Sequence, residues 1–233
     1  MVNHRLGAHM KERVTRSEAV FEDFCRLHGI PCERITVGTT RSPDYRIFPC
    51  GEAVICEVKE IEPTREEKQA QAALERGEPV SFGGIVGARV RKKITDGAPQ
   101  IRKYAKGRCP GVLVLWEADW VPHHLTAYNI KAAMYGFDAI VYAVPKDPEK
   151  APYPVDRKSG GKRRVTDSHN TSLSAVAALR TIDDRIECRV YHNVFAAIRL
   201  RPALLQLPDV WHYKLRQGQV GQFDEWEHIA GRT

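Results

Sequence analysis

Long apolar runs and closely spaced cysteine pairs are both missing from this chain of 233 residues. Segments such as Val112-Leu113-Val114-Leu115-Trp116 fall far short of the roughly 20 residues a membrane helix needs, so no membrane partner is expected. Met1 to Glu12 is polar and contains no apolar stretch; a secretory signal is not expected there, and a cytoplasmic location is. The six cysteines form no CxxC pair, which argues against a zinc ribbon and for reduced thiols. Gly83-Gly84-Ile85-Val86-Gly87 lacks the GK[ST] ending of a phosphate-binding P-loop. No internal repeat is visible. What remains is 42% hydrophobic residues, enough for a proper core and against wholesale disorder.

The chain carries a net charge of +7, from 36 Lys+Arg against 29 Asp+Glu. Residues 88–108 hold 8 basic groups against 1 acidic group, and residues 156–164 hold 5 against 1. These two segments supply +11, so the rest of the chain is net −4. Local basic clusters suit phosphate binding. The candidate nucleic-acid contacts are Arg89, Arg91, Lys92, Lys93, Arg102 and Lys103 in the first, and Arg157, Lys158, Lys162, Arg163 and Arg164 in the second.

Ser17 reads as the N-cap of a helix whose apolar residues Val20, Phe21, Phe24 and Leu27 follow at helical spacing. Short strands are expected over 35–37, 44–48 and 53–59, then a polar helix over 64–76. A basic helix over 90–106 should break near Gly97-Ala98-Pro99. Residues 111–116 read as a strand covered on both faces. A helix over 125–135 and a buried strand over 139–144 follow. Residues 145–170 read as a mobile basic loop, 173–180 as a helix and 186–190 as a strand. The whole is expected to form one α/β domain over 1–233 with a mixed sheet. Its core spans about 15–145, and a C-terminal extension, 171–233, packs on it.

The stretch from Ser42 to Lys59 carries the chemistry. With Cys50-Gly51 as the turn of an antiparallel hairpin, paired residues sum to 101, and Asp44 faces Glu57. Opposed residues have Cβ atoms about 4.5–5.5 Å apart. Two carboxylates so placed call for a cation, and a divalent ion with oxygen ligands is the natural one. Lys59 shares the face of Glu57, while Val54, Cys56 and Val58 point into the core. A metal beside an ammonium group suits attack on a phosphodiester.

Pro43-Asp44 followed by Glu57-Val58-Lys59 resembles the motif of the PD-(D/E)XK, restriction-endonuclease-like nuclease superfamily. Glu18, 11 residues before Gly29, resembles the acidic residue that this family places on its first helix, with Glu22 as a rival. Gln100-Ile101-Arg102-Lys103-Tyr104 resembles the QxxxY motif of its exonuclease branch. The resemblance covers roughly residues 15–117. It implies a restriction-endonuclease-like core with a mixed central sheet flanked by helices, and a Mg²⁺-dependent nuclease, with Mn²⁺ as a substitute. DNA is the favoured substrate and endonuclease the favoured mode. By the same resemblance Asp44, Glu57 and the backbone carbonyl of Val58 hold the metal. Lys59 orients water, Glu18 completes the acidic cluster, and Gln100 and Tyr104 steady the phosphate or Lys59. A homodimer is a further expectation. The alternatives are a non-cleaving nucleic-acid-binding module and a subunit inactive on its own.

Three other groups of polar residues stand out. His123-His124, near Glu117 and Asp119, has metal-ligand chemistry; Asp167, His169 and Asn170 precede Ser172 and Ser174; and Tyr191-His192-Asn193 ends a strand. Each has an ordinary structural reading.

Overall fold

The computed structural model describes residues 14–36, 41–105, 107–118, 123–159, 161–183 and 185–229. Helix α1 (Arg16–Leu27) starts two residues earlier than a Ser17 cap would give. Thr15 is the cap: its hydroxyl accepts from the Glu18 N–H, and the Glu18 carboxylate accepts from the Thr15 N–H at 2.7 Å. Such reciprocal capping contributes about 1 kcal/mol. Ser17 is instead buried with Phe21, Phe24 and Cys25 on the face that meets the sheet.

Strand β1 is Cys32–Arg34, slightly ahead of the expected 35–37. It pairs antiparallel with β2 (Tyr45–Ile47), which pairs antiparallel with β3 (Val54–Glu60). The β2–β3 register is Tyr45↔Cys56, Arg46↔Ile55 and Ile47↔Val54, so partners sum to 101. The connection is not a two-residue turn. Pro49–Gly51 form a single 3-10 turn, with Cys50 at φ 50° and Gly51 at φ 79°. The bend is symmetric about residues 50 and 51, which preserves the register.

After α2 (Arg65–Glu75) comes α3 (Ala88–Ala105), which runs 18 residues without the expected break. Pro99 lies inside it, and Gly97 and Ala98 are buried. Small residues are needed there because the helix crosses the sheet closely. A Cβ on Gly97 would stand 2.8 Å from Leu113 Cδ1 and 3.2 Å from Glu57 Cγ.

Strand β4 (Gly111–Trp116) lies parallel to β3 and has six buried residues. Helix α4 (Ala127–Tyr135) leads to β5 (Asp138–Ala143) and β6 (Tyr153–Ser159), an antiparallel pair outside the main sheet. The expected mobile loop over 145–170 is therefore corrected. Tyr153–Ser159 within it is β6, and Val165 is fully buried, its N–H donating to Met134 O at 2.9 Å. β5 is half-exposed rather than buried.

The expected helix over 173–180 is a strand, β7 (Ala175–Ile182), parallel to β4. Its alanines suggest a helix locally, but small side chains suit a strand enclosed on both faces. Strands β8 (Arg185–His192), β9 (Val210–Arg216) and β10 (Glu225–His228) complete a mixed sheet of eight strands among the described residues, ordered β1-β2-β3-β4-β7-β8-β9-β10. The C-terminal third is thus half of the central sheet, not an extension laid upon it.

One apolar layer lies under α1 and includes Phe21, Phe24, Val54, Cys56, Val58, Val112 and Val114. The other lies under α3 and α4 and includes Ile55, Ile94, Ile101, Leu113, Leu115 and Ile130. Each fully buried aliphatic or aromatic side chain contributes about 1.5–3 kcal/mol. All six cysteines are free thiols. Among the described residues, no helix is long and apolar enough to cross a membrane.

Candidate active site

β2 begins at Tyr45, opposite Cys56, two residues short of covering the N–H of Val58 on β3. Asp44, just before β2, fills that gap: its Oδ2 accepts from the Val58 N–H at 2.7 Å. Thus the aspartate is held by the backbone of the strand that carries Glu57 and Lys59. The Lys59 Nζ stands 3.9 Å from the same Oδ2 and contacts Glu57 Oε1 directly.

Glu57 is the most unusual residue of the group. Its side chain is 0% exposed, because α3 covers the β3 face that an isolated hairpin would present to solvent. Oε1 accepts from Lys59 and from Gln100 Nε2, while Oε2 is buried with no hydrogen-bond partner among the described residues. Burial, with Asp44 adding repulsion, pushes the Glu57 carboxyl up to about 7; Lys59 and Gln100 oppose that rise. Burial also raises the Asp44 carboxyl, against Lys59 and the Val58 N–H. Two carboxyls that both resist ionisation share one buried corner.

Gly97 brings α3 close enough for Gln100, nearly one turn later, to reach Glu57. Tyr104, a further turn along, packs against the α3-side apolar layer, and the Lys103 ammonium lies 5.9 Å from its ring centre. Among the described residues it makes no hydrogen bond to Asp44, Glu57 or Lys59. The QxxxY pair is therefore divided: the glutamine meets the carboxylates and the tyrosine does not.

Glu18 is occupied by its capping role, and its Oε2 lies 3.5 Å from Arg34 Nη2. Glu22 lies 3.2 Å from the same Nη2 and accepts from the Tyr45 hydroxyl at 2.7 Å. Both glutamates thus face Arg34 rather than the Asp44–Glu57 pair, although Glu18 stays within electrostatic reach of Asp44. Arg34, Tyr45 and Gly97 belong to this neighbourhood and were not singled out from the sequence. Arg34 sits in a three-residue strand with no motif, and Gly97 looked like a helix break.

The basic residues separate into two groups. Arg91 is buried and donates to Val86 O at 3.3 Å and Ala132 O at 3.2 Å. Arg157 contacts Asp224, lies 3.5 Å from Asp138 Oδ1 and donates to Gly218 O at 2.9 Å. Arg89 is held by Glu67 at 3.1 Å and by Glu62 O. These three serve the fold, because each satisfies internal acceptors. Arg164 is half-buried, and its N–H donates to the last carbonyls of α4. Lys92, Arg102, Lys103, Lys158, Lys162 and Arg163 are exposed, and Lys93 is half-exposed within electrostatic reach of Lys59.

The remaining candidates have structural partners. Glu117 accepts from the N–H groups of His124 at 2.8 Å and Leu125 at 2.9 Å. His124 Nε2 bonds Glu67 at 2.8 Å. Asp119 lies outside the described residues. Ser174 Oγ donates to Ile198 O at 2.6 Å and accepts from the Gly111 N–H at 3.0 Å, so it is not aligned with His169. His192 pairs with His212 at 2.9 Å inside the core.

Among the described residues, no three His, Cys, Asp or Glu side chains group as a metal site. The donor set for a hard cation is instead two carboxylates, one of them with a buried oxygen lacking a partner. That set fits Mg²⁺, which retains several waters and takes one or two carboxylates. No family model matches the chain, and neither a curated protein nor a solved structure does.

Proposed function

We propose that this chain is a Mg²⁺-dependent nuclease of the PD-(D/E)XK type, with Mn²⁺ able to substitute, that hydrolyses phosphodiester bonds in DNA, internal cleavage being the expected mode. One observation carries the reading. Glu57 is sealed on a central strand beside Asp44, its Oε2 has no partner, and its carboxyl is pushed up to about 7. Buried carboxylates without partners are costly, and a bound cation relieves that cost. Lysine and glutamine on the other oxygen give the glutamate a fixed orientation.

Asp44 and Glu57 would hold the metal, with the Val58 carbonyl as the third protein ligand. The ion would supply a polarised phosphoryl oxygen and a more acidic bound water. Lys59, with 29% of its side chain exposed, reaches from Glu57 toward solvent and would orient the attacking water. Gln100 would keep Glu57 aligned. Lys92, Lys93, Arg102, Lys103 and the exposed cations of 158–163 would follow the phosphate backbone.

The test uses supercoiled plasmid, linear duplex and RNA, each with Mg²⁺, Mn²⁺ or chelator. Metal-dependent plasmid nicking is expected, with Lys59→Ala and Glu57→Ala each lowering the rate by about 100-fold or more. Undiminished cleavage by either variant would overturn the reading, and salt-sensitive DNA binding without cleavage would favour a binding module. Mass in solution checks the expected homodimer.

A further inference from the structure

The glycine segment 83–87 and the His123-His124 pair, far apart in sequence, line one cavity of about 570 Å³. Arg89, Glu67 and Phe82 line it as well. Its walls are anchored. Gly87 N–H donates to Asn129 Oδ1 at 2.9 Å, and a Cβ on Gly87 would stand 2.6 Å from Asn129 O. Glu67 is fixed by Arg89 at 3.1 Å and by His124 Nε2 at 2.8 Å. The volume falls within the range of small-ligand pockets.

Its position relates it to the carboxylates. Arg89, Lys93 and Gln100 lie within about 40° of one another around α3, and Arg89 is about 16 Å along the axis from Gln100. Lys93, between them, is within electrostatic reach of both Lys59 and Glu62. One face of α3 therefore leads from Glu57 past a lysine to this cavity, a distance of a few nucleotides.

We propose that the cavity receives the base of one unpaired nucleotide of the substrate strand, a few nucleotides from the bond that is cut. The proposal rests on the nuclease reading for its substrate. The lining chemistry favours a base over a phosphate. Glu66 and Glu67 both stand in the wall, and Arg89 is already spent on Glu67 and the Glu62 carbonyl. Phe82 offers an aromatic face, on which any base stacks. Glu67, held ionised by its partners, accepts from His124 Nε2, so the ring's Nδ1 is the atom left for a base edge. The nucleotide's own phosphate stays outside, toward Lys93.

Equilibrium binding of deoxynucleoside monophosphates, deoxynucleosides and inorganic phosphate to the full chain tests this, followed by NMR or calorimetry. Mononucleotides and nucleosides should bind, and inorganic phosphate should not displace them. Phe82→Ala, on an exposed loop, should weaken binding by about tenfold at unchanged melting temperature. Phe82→Tyr should restore it. Glu57→Gln should bind mononucleotide as well as the parent chain does. Absent binding, displacement by phosphate alone, or affinity indifferent to Phe82→Ala would overturn the proposal even if DNA is cut. Phe82-dependent binding in a chain that cuts no substrate would sustain the pocket and sink the nuclease reading.

Discussion

Glu57 lies where burial and charge conflict. Its carboxyl is raised from an ordinary 4.5 to about 7, so the metal-free fold prefers it protonated. Stability from this group is fully present below pH 4.5 and falls as pH rises through 7, by on the order of 3 kcal/mol. Chelated protein should therefore lose melting temperature between pH 5 and 8 relative to Glu57→Gln, which cannot ionise. A parallel loss in both proteins would contradict the assignment. A metal ligand must be ionised, so Mg²⁺ affinity should rise with pH through the same window, and titration calorimetry at pH 6 and 8 would show it. Gln100 and Tyr104 separate at this scale too. Gln100→Ala removes a donor from the Glu57 carboxylate and should lower cleavage by about tenfold or more. Tyr104→Phe touches no site hydrogen bond and should leave the rate near that of the parent chain.

Among the elements, α3 decides most. Alanine is a better helix former than glycine by about 1 kcal/mol. Yet Gly97→Ala should destabilise by about 1–3 kcal/mol, because its methyl collides with Leu113 and the Glu57 stem. Denaturant unfolding measures this; a stabilised variant would mean that α3 does not press on β3 so closely. The β5–β6 pair offers a second case. Arg157 and Lys131 flank Asp138, whose carboxyl burial alone would raise; the Lys131 ammonium, the Asp224 N–H and Arg157 outweigh burial and lower it. Arg157→Ala should cost about 3 kcal/mol through the acids it strands. It should barely change the salt dependence of DNA binding, whereas Lys92→Ala or Arg163→Ala should reduce that slope without unfolding the protein.

Across the whole molecule, the sheet is joined by pairings between distant segments. β7 lies between β4 and β8, and β9 and β10 extend the same sheet to the C-terminal side. Trp226 on β10 donates to Ala127 O at 2.9 Å and lies against Tyr191 and Tyr135, tying the last strand to α4. Under that end, His192 and His212 share one buried hydrogen bond. Burial, followed by His212 and Lys214, lowers the His192 pKa from 6.5 to about 4. Neutral imidazoles are favoured by the fold, so stability is present above pH 6.5 and is lost as pH falls toward 4. In the Glu57→Gln background, which removes the opposing titration, acid should lower the melting temperature over that interval. A flat profile would mean that the pair is already solvated.

Local rules made several features legible in the sequence. Strand alternation and a central turn place Asp44 opposite Glu57 and Lys59 beside it, and the observed register of 101 agrees with that pairing. Apolar spacing marked α1, though its cap is Thr15 and not Ser17, and an unbroken apolar run marked β4. The helical look of Ala175-Val176-Ala177-Ala178-Leu179 misled because alanine's preference is weak and enclosure between two strands overrides it. The linear chain determined by itself which residues share the hairpin and where basic charge is concentrated. Only the tertiary structure decided that α3 seals Glu57, that Gln100 rather than Tyr104 meets it, and that Arg89, Arg91 and Arg157 turn inward. Burial and hydrogen-bond partners there come from segments tens of residues away, and no local pattern encodes them.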